Sequence, residues 1–306
     1  MRAVAVGGQQ LRVAVRPGDG TRTPLLLANG IGASLELLQP FVDALDPSIE
    51  VVRFDVPGVG GSPLPRMPYR LPRLARLVAR LLDQLGYPAV DMLGVSWGGG
   101  LAQQFALCHR HRCRRLVLAA TGTGTLMVPG RPQVLARMAT PRRYLDPDYA
   151  ERVAADLYGG TIRSDPTRAR QLLHGRSRVG PRRGYLYQLA AGAGWSSLPL
   201  LPWIRQPTLL LAGDDDPVVP LLNARIMRRL LPDAELHIYH GGHLGLLTEA
   251  AELAPVVDRF LRRDGRTVDV PRGDGRTVDA PPDHARRGGP SMRPGGSRSR
   301  SPRRPT

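Results

Sequence analysis

The segment Val90-Asp91-Met92-Leu93-Gly94-Val95-Ser96-Trp97-Gly98-Gly99-Gly100 limits what this chain can fold into more than any other. A short apolar run ends in Gly-x-Ser-x-Gly, and Leu101 to Cys108 then has helical character. This reads as a strand, a sharp turn and a helix, with a serine at the apex. Such a turn strains the serine backbone and lifts the hydroxyl above the sheet, so the flanking positions must lack side chains that would clash, hence Gly94 and Gly98. Ser96 is the candidate nucleophile.

The rest of the sequence supplies the sheet that such a turn requires. Leu25 to Ala28 reads as a short buried strand, and Leu35 to Leu45 carries apolar residues at helical spacing. Ile49 to Phe54 predicts the next strand, which leads into the glycine-rich Asp55-Val56-Pro57-Gly58-Val59-Gly60-Gly61-Ser62. Leu74 to Leu85 is an amphipathic helix stopped by Gly86 and Pro88. Leu116 to Ala120 is a further strand. From about Thr123 to Arg205, Pro, Arg, Tyr and Gly interrupt short helical stretches, and the strand-helix rhythm is lost. It returns with strands at Thr208–Ala212 and Glu235–Tyr239 and helices at Leu221–Leu231 and Glu249–Leu261. The expected fold is therefore α/β, a mostly parallel sheet flanked by helices. Residues 1–122 and 206–262 form its two parts, and 123–205 form an inserted helical lid. In 263–306, Asp264-Gly265-Arg266-Thr267-Val268-Asp269 recurs as Asp274-Gly275-Arg276-Thr277-Val278-Asp279, followed by Ser, Arg, Pro and Gly. With almost nothing apolar to bury, this Arg-rich tail is expected to be disordered.

The formal net charge of +17 invites comparison with nucleic-acid binders. All 43 basic side chains are arginine, however, and they are scattered along the whole length. No aromatic-interleaved basic platform is present, so no nucleic-acid partner is expected for the core. Cys108 and Cys113, with His109 and His111 between them, lack the paired spacing of a structural zinc site and are read as reduced thiols. The N-terminus has no apolar signal core and no run approaches membrane-spanning length, so a cytoplasmic protein without a transmembrane segment is expected.

A serine hydroxyl needs a base within hydrogen-bond reach, and the base needs an orienting carboxylate. In sheets with this turn they follow the serine in the order acid, then histidine. Leu209-Leu210-Leu211-Ala212-Gly213-Asp214-Asp215-Asp216-Pro217 ends a late strand in three carboxylates. Asp216 precedes the Pro-bounded turn Pro217-Val218-Val219-Pro220 and is the first choice, with Asp215 the alternative. Beyond the next strand, Tyr239-His240-Gly241-Gly242-His243-Leu244 offers two histidines. His243 follows a Gly-Gly hinge and can enter a site from a loop, whereas His240 ends the strand and reads as structural. An oxyanion hole needs two backbone N–H groups. The candidates are Trp97, just after the serine, and Ile31 in the loop Asn29-Gly30-Ile31-Gly32. The Trp97 indole is read either as a wall of the acyl pocket or as core. No metal and no cofactor are expected.

The succession NGIGAS, FDVPGVGGS, GVSWGGG, AGDDDPVVP and GGHLGLL resembles the α/β-hydrolase fold. Longer runs are similar to the intracellular poly(3-hydroxyalkanoate) depolymerases of medium-chain-length polyesters. They are Phe54–Ser62, Leu93–Gly99 with Ala102–Ala106, and Leu116–Thr121. Within the lid, Met127–Gly130, Pro141–Tyr144, Tyr158–Gly160 and Gly194-Trp195 extend the likeness. The resemblance spans roughly residues 10 to 262. It implies ester hydrolysis in a stored hydrophobic polyester with Ser96, Asp216 and His243 as triad, and association with polyester granules in the cytoplasm. The repeat-bearing tail has no counterpart in that pattern, and its partner is left open. Acyl transfer to or from a thiol, thioester hydrolysis and small-ester hydrolysis would use the same motifs.

Overall fold

The computed structural model describes residues 1–175 and 177–263. The repeat and the rest of the Arg-rich tail, 264–306, lie outside the described residues. Eight strands form one sheet: β1 (Arg2–Val6), β2 (Gln9–Arg16), β3 (Leu25–Ala28), β4 (Val51–Phe54), β5 (Val90–Val95), β6 (Cys113–Ala119), β7 (Thr208–Gly213) and β8 (Ala234–Tyr239). Their order is β1-β2-β4-β3-β5-β6-β7-β8. β1 and β2 pair antiparallel, β2 meets β4 antiparallel, and every later pair is parallel.

The central strands are largely apolar because both faces of the sheet are covered. Leu25 and Leu27 of β3 enter one core, and Leu26 and Ala28 enter the other. The same alternation sends Val117 and Ala119 of β6 to the first core, and Leu116 and Leu118 to the second. Helices α1 (Gln39–Ala44), α2 (Leu71–Leu85) and α3 (Trp97–Cys108) come from the first part of the chain. α2 covers the second core with Leu71, Leu74, Val78, Leu81 and Leu82, each buried and each contributing about 1.5–3 kcal/mol.

Between β6 and β7 the chain leaves the sheet and forms α4 (Pro132–Met138), α5 (Arg142–Leu145), α6 (Pro147–Tyr158), α7 (Thr161–Ser164), α8 (Thr167–His174) and α9 (Arg182–Gly192). Asp146 caps α6 by accepting from the Tyr149 N–H at 2.9 Å, with Pro147 opening the helix. α9 lies so close to the Asp55–Ser62 loop that a Cβ on Gly184 would stand 1.7 Å from the Gly58 carbonyl oxygen. After β7 come α10 (Leu221–Leu230), α11 (Gly245–Thr248) and α12 (Ala250–Arg262). α12 closes the first core through Leu253, Val257, Phe260 and Leu261.

Two local readings change. The helix expected over Leu35–Leu45 is confined to α1, and Leu35–Leu38 form turns. The Leu35 N–H donates to the buried Asp55 carboxylate at 2.7 Å, and Pro40 starts the helix only afterwards. The β1–β2 hairpin was not marked by the sequence, because its half-exposed Arg, Ala, Val and Gln residues give only a weak alternation.

Candidate active site

β3, β5, β7 and β8 run parallel, so their carboxyl ends and the loops that follow open on the same edge of the sheet. Ser96 sits just past β5 with φ 52° and ψ −119°, and Ala120 is the other non-glycine with positive φ among the described residues. Such a conformation costs about 1–3 kcal/mol and survives only where its surroundings fix it. Here the Ser96 N–H donates to the Ala119 carbonyl at 2.9 Å, and its own carbonyl accepts from Thr121 Oγ1 at 2.7 Å. The turn also presses α3 onto β3. A Cβ on Gly98 would lie 2.2 Å from the Ala28 carbonyl oxygen, so only glycine fits there.

His243 approaches from the loop after β8, held by its backbone N–H donating to the Tyr158 carbonyl at 2.7 Å. Its Nε2 lies 3.0 Å from Ser96 Oγ, and its Nδ1 lies 2.8 Å from Asp216 Oδ2. The second oxygen of Asp216 accepts from the Val218 and Val219 N–H groups at 2.8 and 2.9 Å, so the Pro-bounded turn fixes the carboxylate on both sides. Asp216 and His243 are both buried. In this arrangement the serine proton can pass to Nε2 while a shielded carboxylate holds the opposite nitrogen.

The three consecutive aspartates divide their work. Asp215 turns to Arg163 at 2.9 and 3.1 Å and to the Gly160 N–H at 2.7 Å, and these bonds, the Arg163 one first, lower its pKa from the ordinary carboxylate value. Asp214 pairs with His240 at 2.9 Å. Neither Asp215 nor His240 joins Ser96. His174 is engaged elsewhere, with Nε2 at 2.9 Å from the Arg143 carbonyl.

Ile31 lines the same cavity as Ser96 and Trp97 follows the serine, and among the described residues neither backbone N–H has a protein acceptor. The Ile31 loop is braced internally by Asn29, whose side chain bonds the Gly30 N–H at 3.0 Å and the Ser34 carbonyl at 2.6 Å. It is braced from outside by the insertion. Tyr144 Oη donates to the Ile31 carbonyl at 2.9 Å, and Gln188 Oε1 accepts from the Gly32 N–H at 2.7 Å. Turning that carbonyl toward α5 directs the peptide unit around it. Asn29, Arg143 and Tyr144 lie in runs the sequence marked but were given no role, and Gln188 was not marked, because what they do depends on contacts across the fold. The Trp97 indole donates to the Gln188 carbonyl at 2.8 Å and packs against both cores, so it ties α9 to the serine turn.

A cavity of about 40 Å³ borders Ser96 and His243. That is room for about three waters at ~10–15 Å³ each. Leu37, Leu38, Met138, Tyr144, Leu173 and Leu246 make it largely apolar. Both cysteines are free thiols, Cys108 exposed and Cys113 buried. Among the described residues, no three His, Cys, Asp or Glu side chains gather where they could hold a metal ion. No helix among them is long and apolar enough to cross a membrane.

Residues 23–250 match the family described as alpha/beta hydrolase fold. The chain belongs to the α/β-hydrolase fold family. Within that family it is 54% identical over 272 residues to a poly(3-hydroxyalkanoate) depolymerase of Ectopseudomonas oleovorans, covering 89% of this chain and 96% of that one. Among solved structures, a hydrolase from Pseudomonas aeruginosa PA01 superposes with a TM-score of 0.72 at 26% identity, over 86% of this chain and 98% of the other. The enol-lactonase from Burkholderia xenovorans LB400 shares the fold with a TM-score of 0.73 at 23% identity, over 86% and 100%.

Proposed function

We propose that this α/β-hydrolase cleaves the ester bonds of a medium-chain-length poly(3-hydroxyalkanoate) through an acyl-enzyme on Ser96. The observation that carries this reading is the Ser96–His243–Asp216 relay, at 3.0 and 2.8 Å, opening on an apolar cavity. The polyester follows from the Ectopseudomonas relative. His243 takes the Ser96 proton as Oγ attacks the ester carbonyl, and Asp216 holds the imidazole in the required tautomer. The Ile31 and Trp97 N–H groups receive the developing oxyanion. The alcohol end leaves with the proton from His243, and water then releases the acyl group.

Residues 123–205 act as a lid in this reading. The cavity that they border beside Ser96 is small, at about 40 Å³. Leu126, Leu135, Leu145, Val179 and Leu186 of the same insertion expose apolar surface, which suits contact with a polyester granule.

The test is clearing of a medium-chain poly(3-hydroxyalkanoate) suspension by the purified chain. Wild type is expected to clear it, and Ser96→Ala to lose about 10⁴–10⁶ in kcat. Clearing by Ser96→Ala at the wild-type rate removes the nucleophile assignment. Turnover of a soluble ester without clearing moves the function to small-ester hydrolysis or acyl transfer.

A further inference from the structure

Arg143 is the only permanently charged residue bordering the cavity beside Ser96 among the described residues. It is 2% exposed, and its guanidinium stacks near the rings of Tyr144 and Tyr185, at 4.7 and 5.3 Å. Each of its hydrogen-bond acceptors is neutral: Tyr185 Oη at 2.7 Å, the Thr140 carbonyl at 3.2 Å, and the Ile31 carbonyl at a long 3.4 Å. Its Nε has no partner, and no carboxylate forms an ion pair with it among the described residues. Burial pushes the Tyr158 and Tyr185 phenols up, so neither supplies a negative charge near neutral pH. A second donor borders the same cavity: Tyr158 Oη lies beside Arg143, and among the described residues its own proton finds no acceptor. An uncompensated buried cation is costly, and so is an idle buried donor. Both costs are offset when a ligand brings an anion into the cavity.

A polyester of 3-hydroxy acids has one anion, the carboxylate of its terminal unit. Only two carbons separate that carboxylate from the oxygen of the last ester bond. We propose that Arg143, with Tyr158, binds this terminal carboxylate and so directs cleavage to the last ester of the chain. Ser96 Oγ then bonds to the carbonyl carbon of the penultimate unit, and the bond from that carbon to the terminal unit's oxygen breaks. The terminal unit leaves as a free 3-hydroxy acid, its alcohol oxygen taking the proton that His243 drew from Ser96. Hydrolysis of the acyl-enzyme exposes a new carboxylate on the shortened chain, ready for the same site. This role rests on the serine-hydrolase reading above.

The experiment compares the linear dimer of 3-hydroxyoctanoate with its methyl ester, in wild type, Arg143→Lys and Arg143→Met. Because each preference is a ratio within one protein, a general loss of activity cancels. Wild type is expected to favour the free acid by about 10- to 100-fold in kcat/KM, carried mainly by KM. Arg143→Met should bring the ratio to near one, and Arg143→Lys should restore part of it. Equal hydrolysis of the two dimers by wild type overturns the role of Arg143 alone, and needs no variant to fold. A preference that persists in Arg143→Met overturns it too. If wild type cleaves neither dimer nor p-nitrophenyl octanoate, the hydrolase reading fails and the Arg143 role falls with it.

Discussion

The loops after β7 and β8 build two aspartate–histidine pairs of nearly the same length. Asp216–His243 spans 2.8 Å and Asp214–His240 spans 2.9 Å. One residue separates the aspartates and two separate the histidines, yet only one pair reaches Ser96. The difference is environment. The side chains of His243 and Asp216 are 5% and 1% exposed, whereas those of His240 and Asp214 are 96% and 41% exposed. Water weakens the outer pair's attraction and leaves the imidazole free to turn, while packing fixes the inner pair's tautomer and direction. A short Asp–His distance therefore does not by itself distinguish the two pairs. What distinguishes the inner pair, the one assigned to the proposed relay, is a carboxylate held by the Val218 and Val219 N–H groups and an imidazole with the Ser96 hydroxyl on its far side.

The contrast can be broken by substitution. Asp216→Asn keeps the shape but inverts the hydrogen bond to Nδ1, so ester hydrolysis measured with p-nitrophenyl octanoate should fall on the order of 10⁴ in kcat. A loss no greater than that of Asp214→Asn would erase the distinction between the pairs. Asp215→Asn should have an intermediate effect, because Asp215 ties Arg163 and Gly160 of the insertion to the β7 loop without touching the relay. Its cost is expected at about 3- to 10-fold in kcat/KM, with the triad's pH profile unchanged. His240→Gln should leave kcat/KM within about twofold, as for other exposed pairs. Its trace should appear only in the pH dependence of melting. Asp214 raises the His240 pKa, so that stabilisation is complete below the ordinary histidine value and fades as pH rises through the folded one. His240 in turn lowers the Asp214 pKa, so the pair's contribution also fades as pH falls through that value. The melting difference between wild type and His240→Gln should therefore be largest at about pH 4–6.5 and vanish in alkali.

The sequence exposed those parts of the site that depend on neighbours along the chain. Gly94 and Gly98 mark a turn too tight for side chains, and Pro217 and Pro220 mark the bend that aims Asp216. Apart from Asp91 and Thr208, Val90–Val95 and Thr208–Gly213 are apolar, as strands covered on both faces tend to be. What was hidden depends on residues far apart in sequence. The Tyr144 bond to the Ile31 carbonyl joins positions whose partnership no local pattern announces. Leu35 to Leu38 kept helical spacing but lost the helix to a distant competitor, the Asp55 carboxylate. The outer strands were faint because an edge hairpin facing water on much of its surface has little apolar pattern to display.

The contact between Gly184 and Gly58 separates two properties that many binding sites mix. Where α9 meets the Asp55–Ser62 loop, peptide rests on peptide, with no side chain between them to be exchanged. The height of the insertion above the serine is thus set by main-chain thickness, a quantity mutation cannot tune by degrees. The apolar walls at Met138, Leu173 and Leu246 are side chains, and they can be lengthened or trimmed without touching that contact. Taste and posture are inherited separately here. Substitutions at Met138, Leu173 or Leu246 can therefore reshape the cavity while the Gly184–Gly58 approach stays as the backbone sets it.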